Sequence, residues 1–176
     1  MRVIGGKFRS RRLKTMPGFD VRPTPDRLRE TLFNVLAREI EGVVFLDAYA
    51  GTGAVGIEAL SRGARHALLL ERNAGAVAVI RQNLESLGIA GEATIIRGNA
   101  LTLIAKHAAD IVFLDPPYSR ERDYQVALEL LSASSPRLVV AQHDSRLTPA
   151  ESVGALRRVR SIRQGSNSLS FYRPDS

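Results

Sequence analysis

Asp115-Pro116-Pro117-Tyr118 brings a carboxylate, a proline carbonyl and an aromatic ring together directly after the apolar run Ile111-Val112-Phe113-Leu114. The run reads as a buried strand. Two prolines end it, because neither offers a backbone N–H to a ladder. Ligands of open α/β sheets bind at the carboxyl ends of strands, where these four residues would sit. A planar base would stack on Tyr118, while Asp115 and the Pro116 carbonyl accept hydrogen bonds from an exocyclic amine. A plain Pro-Pro turn after a core strand accounts for the same residues, so the stretch needs a companion.

Val43-Val44-Phe45-Leu46 is a second apolar strand. It leads into Asp47-Ala48-Tyr49-Ala50-Gly51-Thr52-Gly53-Ala54-Val55-Gly56 and then into a helical pattern, Ile57-Glu58-Ala59-Leu60. Gly51, Gly53 and Gly56 satisfy the dinucleotide fingerprint, in which an acid about 20 residues on takes the ribose. Glu71, after Leu68-Leu69-Leu70, stands at that place. What precedes the glycines separates the readings. A pyrophosphate site wants its first glycine at the strand end. Here Asp47 ends the strand and Ala48-Tyr49-Ala50 intervene. A carboxylate there repels pyrophosphate and suits an ammonium or a sulfonium. S-adenosylmethionine carries both, so it is expected in preference to NAD.

With these residues in place the chain resembles the class I S-adenosylmethionine-dependent methyltransferases that act on exocyclic amines, and more closely the RsmD family. Three stretches carry the resemblance: Arg2 to Gly6, Arg22 to Asn34, and Ala50 to Ala64. Ser10 departs from it by standing where the family has glycine, and Gln142 by standing where an acid is expected after the fifth strand. The resemblance implies methylation of a guanine N2 in 16S rRNA, in an assembling small ribosomal subunit, with S-adenosyl-L-methionine as cofactor. The absence of a targeting signal suggests a cytoplasmic protein, and a monomer is expected. Asp115, Pro116 and Tyr118 would surround the target amine. Asp47, Gly51, Gly53 and Glu71 would hold the cofactor, and Asn99 and Ala100 would border its adenine, although Asn99 reads equally as a helix N-cap. Arg2, Lys7, Arg9, Arg11, Arg12 and Arg22 would contact RNA.

Positioning these residues requires a regular scaffold. Strands near 43–47, 66–70, 93–96, 110–114 and 137–141 alternate with helices near 54–62, 73–87, 100–107 and 122–132. That rhythm predicts an α/β three-layer sandwich around a seven-stranded, mostly parallel Rossmann-like sheet. Leu156 to Ile162 and Ser168 to Tyr172 read as a closing antiparallel hairpin around Gly165. Thr24-Pro25 predicts a helix start, with Thr24 as N-cap and Pro25 at the first helical position. The arrangement is a single methyltransferase domain, 17–176, preceded by a basic arm, 1–16.

The chain has 176 residues, a formal net charge of +7 and no cysteine. Disulfides and thiolate metal sites are excluded, and His66, His107 and His143 lack ligand spacing. No apolar run approaches the ~20 residues that span a bilayer. Arg2, Lys7, Arg9, Arg11, Arg12 and Lys14 crowd the first 14 residues with no acid among them. Phosphate contact is the expected use, against a solvated tail or an Arg-rich transit segment. Gly5-Gly6 between Val3-Ile4 and Phe8 predicts a β-hairpin. Arg157, Arg158, Arg160 and Arg163 either extend this footprint or line a solvated strand.

Three other functions compete. A DNA adenine-N6 methyltransferase shares the Asp-Pro-Pro-Tyr type of motif but needs a target-recognition region for which 176 residues leave little room. A protein glutamine methyltransferase would more usually have Asn in place of Asp115. A catalytically silent RNA-binding or ribosome-assembly module would have no need of Asp47, Glu71 and Asp115.

Overall fold

The computed structural model describes residues 1–17 and 25–176. Thr24 and Arg22 lie outside the described residues. Five parallel strands form the centre: β1 (Val44–Asp47), β2 (His66–Glu71), β3 (Ala93–Arg97), β4 (Ile111–Leu114) and β5 (Leu138–Asp144). Three antiparallel strands extend the sheet: β6 (Ser152–Val153), β7 (Leu156–Gln164) and β8 (Asn167–Pro174). The order is β3-β2-β1-β4-β5-β8-β7-β6. The sheet thus has eight strands where seven were expected. The extra one, β6, is two residues long, too short to show an alternating pattern.

Helices α1 (Asp26–Leu36), α2 (Ala54–Ser61) and α3 (Ala74–Leu87) cover one face; α4 (Ala100–Leu103) and α5 (Arg122–Ser134) cover the other. The parallel strands are apolar on both faces because both are covered. Phe45, Leu69 and Phe113 join Leu32, Phe33, Ile57 and Ile80 on the first face. Leu46, Leu70 and Val112 join Leu128 and Leu131 on the second. The expected helix over 100–107 is an α-turn to Leu103 followed by a 3-10 turn, Ile104–Lys106. Pro25 is extended, φ −53° and ψ 139°, and precedes the first helical residue, Asp26. It therefore sits one position before the expected place.

The expected N-terminal β-hairpin is a closed loop with a single bridge, Arg2 to Arg12. Val3 N donates to Arg11 O, Ser10 N to Val3 O and Leu13 N to Met1 O, each at 2.9 Å. Its tip, Gly6–Phe8, is a 3-10 turn. A second ladder fails to form because α2 takes the backbone groups it would use. Glu58 accepts the amides of Ile4 and Gly5 at 2.8 and 2.9 Å, and Ser61 Oγ accepts that of Phe8 at 2.9 Å. Gly6, at φ +77°, lies so close to α2 that a Cβ would meet the Ser61 carbonyl oxygen at 2.0 Å. Ser10, at φ 69°, occupies the left-handed region that glycine enters freely. Val3, Phe8 and Leu13 are buried with the first core face, so the arm packs as part of the same body.

Candidate active site

The chain order reverses between β1 and β4, and a cavity of about 610 Å³ opens at the carboxyl ends of the strands there. Ala48, Tyr49 and Gly51 line it after β1, Glu71 at the end of β2, Gly98 and Ala100 after β3, and Asp115 to Tyr118 after β4. Gln142 of β5 and Asn167 of β8 close the far wall.

Glu71 organises the cofactor end. Its Oε2 accepts the Gly51 amide at 2.8 Å and its Oε1 the Asn73 amide at 2.9 Å. Each oxygen retains a lone pair for a ligand hydroxyl. Gly51, at φ 58°, takes the left-handed turn that glycine enters freely. Asn73 caps α3 by accepting the Ala76 amide at 2.9 Å, which fixes the loop beyond Glu71. Acceptor oxygens, a glycine turn and the small residues Ala48 and Ala100 fit a nucleoside.

At the other end, Pro116 is buried, Asp115 half-buried and Tyr118 52% exposed at the cavity mouth. An exposed aromatic ring at the mouth of such a cavity stands where a planar base could stack. Tyr49 was not legible as a site residue. Its hydroxyl donates to Asp123 Oδ2 on α5 at 2.9 Å while the residue lines the cavity. Burial, with Asp123 beside it, raises this phenol far above its ordinary pKa, so it stays a neutral donor.

Three expected cofactor residues lie off the cavity lining. Asp47 is 1% exposed and points with Phe45 into the face covered by α2. Burial pushes its carboxyl up to about 7; the Tyr49 and Gly56 amides partly offset this and Glu71 adds to it. Those amides face the carboxylate, yet neither closes a hydrogen bond of normal geometry, and neither oxygen has a hydrogen-bond partner among the described residues. Gly53 is buried against Ile80 and permits the left-handed turn, φ +84°, that starts α2. Asn99 is an exposed helix cap accepting the Leu101 amide at 2.9 Å.

Arg2, Lys7, Arg9, Arg11 and Arg12 are exposed on the arm; Arg22 falls outside the described residues. Asn83 of α3 ties the arm to the glycine loop: Oδ1 accepts the Lys14 amide at 2.7 Å and Nδ2 donates to the Lys14 and Thr52 carbonyls at 3.1 and 3.0 Å. In the C-terminal cluster Arg157 pairs with Asp175 and Arg158 with Glu151, at 3.1 and 3.6 Å, while Arg160 and Arg163 are exposed. His143 is a satisfied buried residue, bonded at 2.8 Å to Ser170 Oγ and the Asp144 carbonyl. Among the described residues no acidic or histidine group could hold a metal ion, and no helix is long and apolar enough to cross a membrane.

A family model described as conserved hypothetical protein 95 matches residues 1–173. Ribosomal RNA small subunit methyltransferase D of Escherichia coli K12 is 43% identical over 122 residues, a match spanning 68% of this chain and 61% of that protein. The solved structure of Escherichia coli yhhF superposes with a TM-score of 0.85 at 30% identity, covering 100% of this chain and 98% of that one. A Salinibacter ruber RNA methyltransferase, solved with S-adenosyl-L-homocysteine, shares the fold at 18% identity and a TM-score of 0.68, covering 88% and 95%.

Proposed function

The chain belongs to the RsmD methyltransferase family, and we propose that it methylates the exocyclic N2 amine of a guanine in 16S rRNA, with S-adenosyl-L-methionine as methyl donor. One observation carries the reading: a single cavity joins Glu71 and Gly51 at one end to Asp115, Pro116 and Tyr118 at the other. Such a cavity brings a cofactor and a base into reach of each other, which supplies the positioning that transfer between them requires.

S-adenosyl-L-methionine supplies an electrophilic methyl group on a sulfonium. Glu71 accepts the ribose hydroxyls, and Gly51 lets the backbone approach the amino-acid tail. Asp115 Oδ and the Pro116 carbonyl accept the two N–H bonds of the target amine. That favours a pyramidal nitrogen and localises a lone pair otherwise delocalised into the ring. Tyr118 holds the ring, and the transition state is stabilised by position and charge. Asp115, or water beside it, then receives the amine proton. A target base inside folded RNA must first leave its stack. The exposed arginines of the arm hold phosphates while it does so. The preferred substrate is 16S rRNA within an assembling small ribosomal subunit.

The test is to incubate the protein with labelled S-adenosyl-L-methionine and unmethylated small subunits, then map the methylated base. Label on a guanine N2 of 16S rRNA supports the reading. Label only on DNA adenine, or none on any nucleic acid, overturns it.

A further inference from the structure

Gln142 is 6% exposed and lines the cavity, and its Oε1 is buried with no hydrogen-bond partner among the described residues. A carbonyl oxygen is costly to keep dry and unpaired. Its backbone is held firmly: the Gln142 carbonyl accepts the buried Tyr124 hydroxyl at 2.5 Å. The orphan oxygen therefore belongs to a fixed wall of the site.

The ladder gives its neighbour. β4 and β5 are parallel and Leu114 pairs with Ala141. One residue further along each chain stand Asp115 and Gln142, on strands about 4.8 Å apart. The alternation that places Phe113 and Val140 in one core face carries Asp115 and Gln142 to the same side of the sheet. Asn167, buried and opposite Asp144 on β8, closes the wall behind Gln142.

We propose that Gln142 is the residue that reads the target base beside its reacting amine, an inference that rests on the guanine-N2 reading above. The guanine edge presents N2–H2, then N1–H, then O6: two donors followed by an acceptor. With N2 held by Asp115 and the Pro116 carbonyl, N1–H and O6 fall to the next group along the wall. A carboxamide supplies both partners: Oε1 accepts N1–H and Nε2 donates to O6. Adenine with N6 at Asp115 would present N1, an acceptor, and then C2–H, so the amide would make one bond in place of two. A base that cannot donate from N1 leaves Oε1 buried and unpaired, and sites of that kind reject the wrong partner strongly.

The experiment uses 2-aminopurine, which keeps the reacting amine and lacks both N1–H and O6. The base methylated in small subunits is mapped first. Subunits reconstituted with guanine or 2-aminopurine at that position are then compared by kcat/KM. The wild-type protein should prefer guanine by about tenfold or more, the worth of two hydrogen bonds. Gln142→Leu and the straight-chain Gln142→Met should each bring that preference close to unity. A preference unchanged in a folded variant overturns the inference, because a purely structural residue would slow both substrates alike. Absence of methylated guanine with the wild-type protein is a separate result, and overturns the reading on which the inference rests.

Discussion

The backbone amide of Gly51 donates to Oε2 of Glu71 at 2.8 Å, so the acid that ends β2 holds the first glycine of the loop that follows β1. Glu71 is therefore the organiser of the loop as well as the proposed ribose ligand. Glu71→Ala should weaken S-adenosyl-L-methionine binding by about 1.5–3 kcal/mol, the range for hydrogen bonds to a charged group. Glu71→Gln should restore only part of this, because its NH2 must face one of the two amides, Gly51 or Asn73, that now donate to carboxylate oxygens. Calorimetry measures both. Wild-type affinity in Glu71→Ala would show that the ribose lies elsewhere.

At the base end, Asp115→Ala should nearly abolish methyl transfer while cofactor affinity stays within a few-fold, because Asp115 is assigned to the amine. Tyr118→Phe should be mild and Tyr118→Ala should cost about 1–3 kcal/mol of RNA binding, since the ring face does the stacking. Single-turnover rates and cofactor titrations separate the two effects. Phe as damaging as Ala would transfer the role from the ring to the hydroxyl.

Asp47 gives the fold a dependence on pH. Its carboxyl ordinarily titrates at 3.8 and burial raises it to about 7 in the folded chain. Between those values the folded state binds more protons than the unfolded one. Stability must therefore fall as pH rises from about 4 to about 7, and the penalty is complete above that. At 1.36 kcal/mol per unit the full effect is of order 4 kcal/mol. Asp47→Asn cannot titrate, so its unfolding free energy should lack this slope. Urea titrations of both proteins at pH 5, 6, 7 and 8 measure it. Parallel slopes would show that Asp47 keeps an ordinary pKa.

Glu58 and Arg29 are both fully buried, with Oε1 and Nε 3.5 Å apart, and Glu58 also holds the arm at Ile4 and Gly5. Burial lowers the Arg29 pKa while Glu58 and, less, Asp26 raise it; the guanidinium stays charged and Glu58 is its buried counter-ion. Glu58→Gln breaks the pair and leaves a buried cation, a change that costs about 3–5 kcal/mol. The arm should also become sensitive to protease before the rest of the chain unfolds. Denaturant unfolding and limited proteolysis test the two halves of this statement. Wild-type stability would mean that Asp26, 3.3 Å from Arg29, suffices as counter-ion.

What the sequence revealed was local. Asp115-Pro116-Pro117-Tyr118 and the Gly51 loop could be placed because each follows its own apolar strand, and strand ends are where such sheets bind ligands. Gln142, Tyr49 and Asn83 depend on which strands are neighbours and on contacts across 20 or more residues, such as Tyr49 to Asp123 and Asn83 to Thr52. No spacing encodes those. The place of Asp47 in the motif suggests a cofactor residue. Strand parity sends it with Phe45 toward α2, where its carboxyl is buried. The arm's hairpin is reduced to one antiparallel bridge for a similar reason: Glu58, inside an otherwise apolar helix, takes the arm's backbone amides. A lone acid in Ala54–Ser61 was the signal available.

The arm supplies the remaining prediction. Arg9, Arg11 and Arg12 are exposed, and the Arg11 guanidinium donates to the Ser86 carbonyl at 3.0 Å. Each phosphate contact adds about 0.9 to the slope of log affinity against log salt on duplex, and about 0.7 on single strands. Replacing the three with Ala should therefore flatten the slope by about two to three units if all touch phosphate. The loop itself should stay in place, because backbone bonds to Glu58, Ser61 and Asn83 hold it and buried Val3, Phe8 and Leu13 anchor it. Cofactor affinity should then be unchanged, even though Asn83 links Lys14 to the glycine loop at Thr52. Subunit binding across a salt series, with the cofactor titrated in parallel, decides the matter. A slope that does not move, together with normal methylation, would make the arm a packing element alone. RNA would then have to be held by other cations, of which Arg160 and Arg163 are exposed on β7.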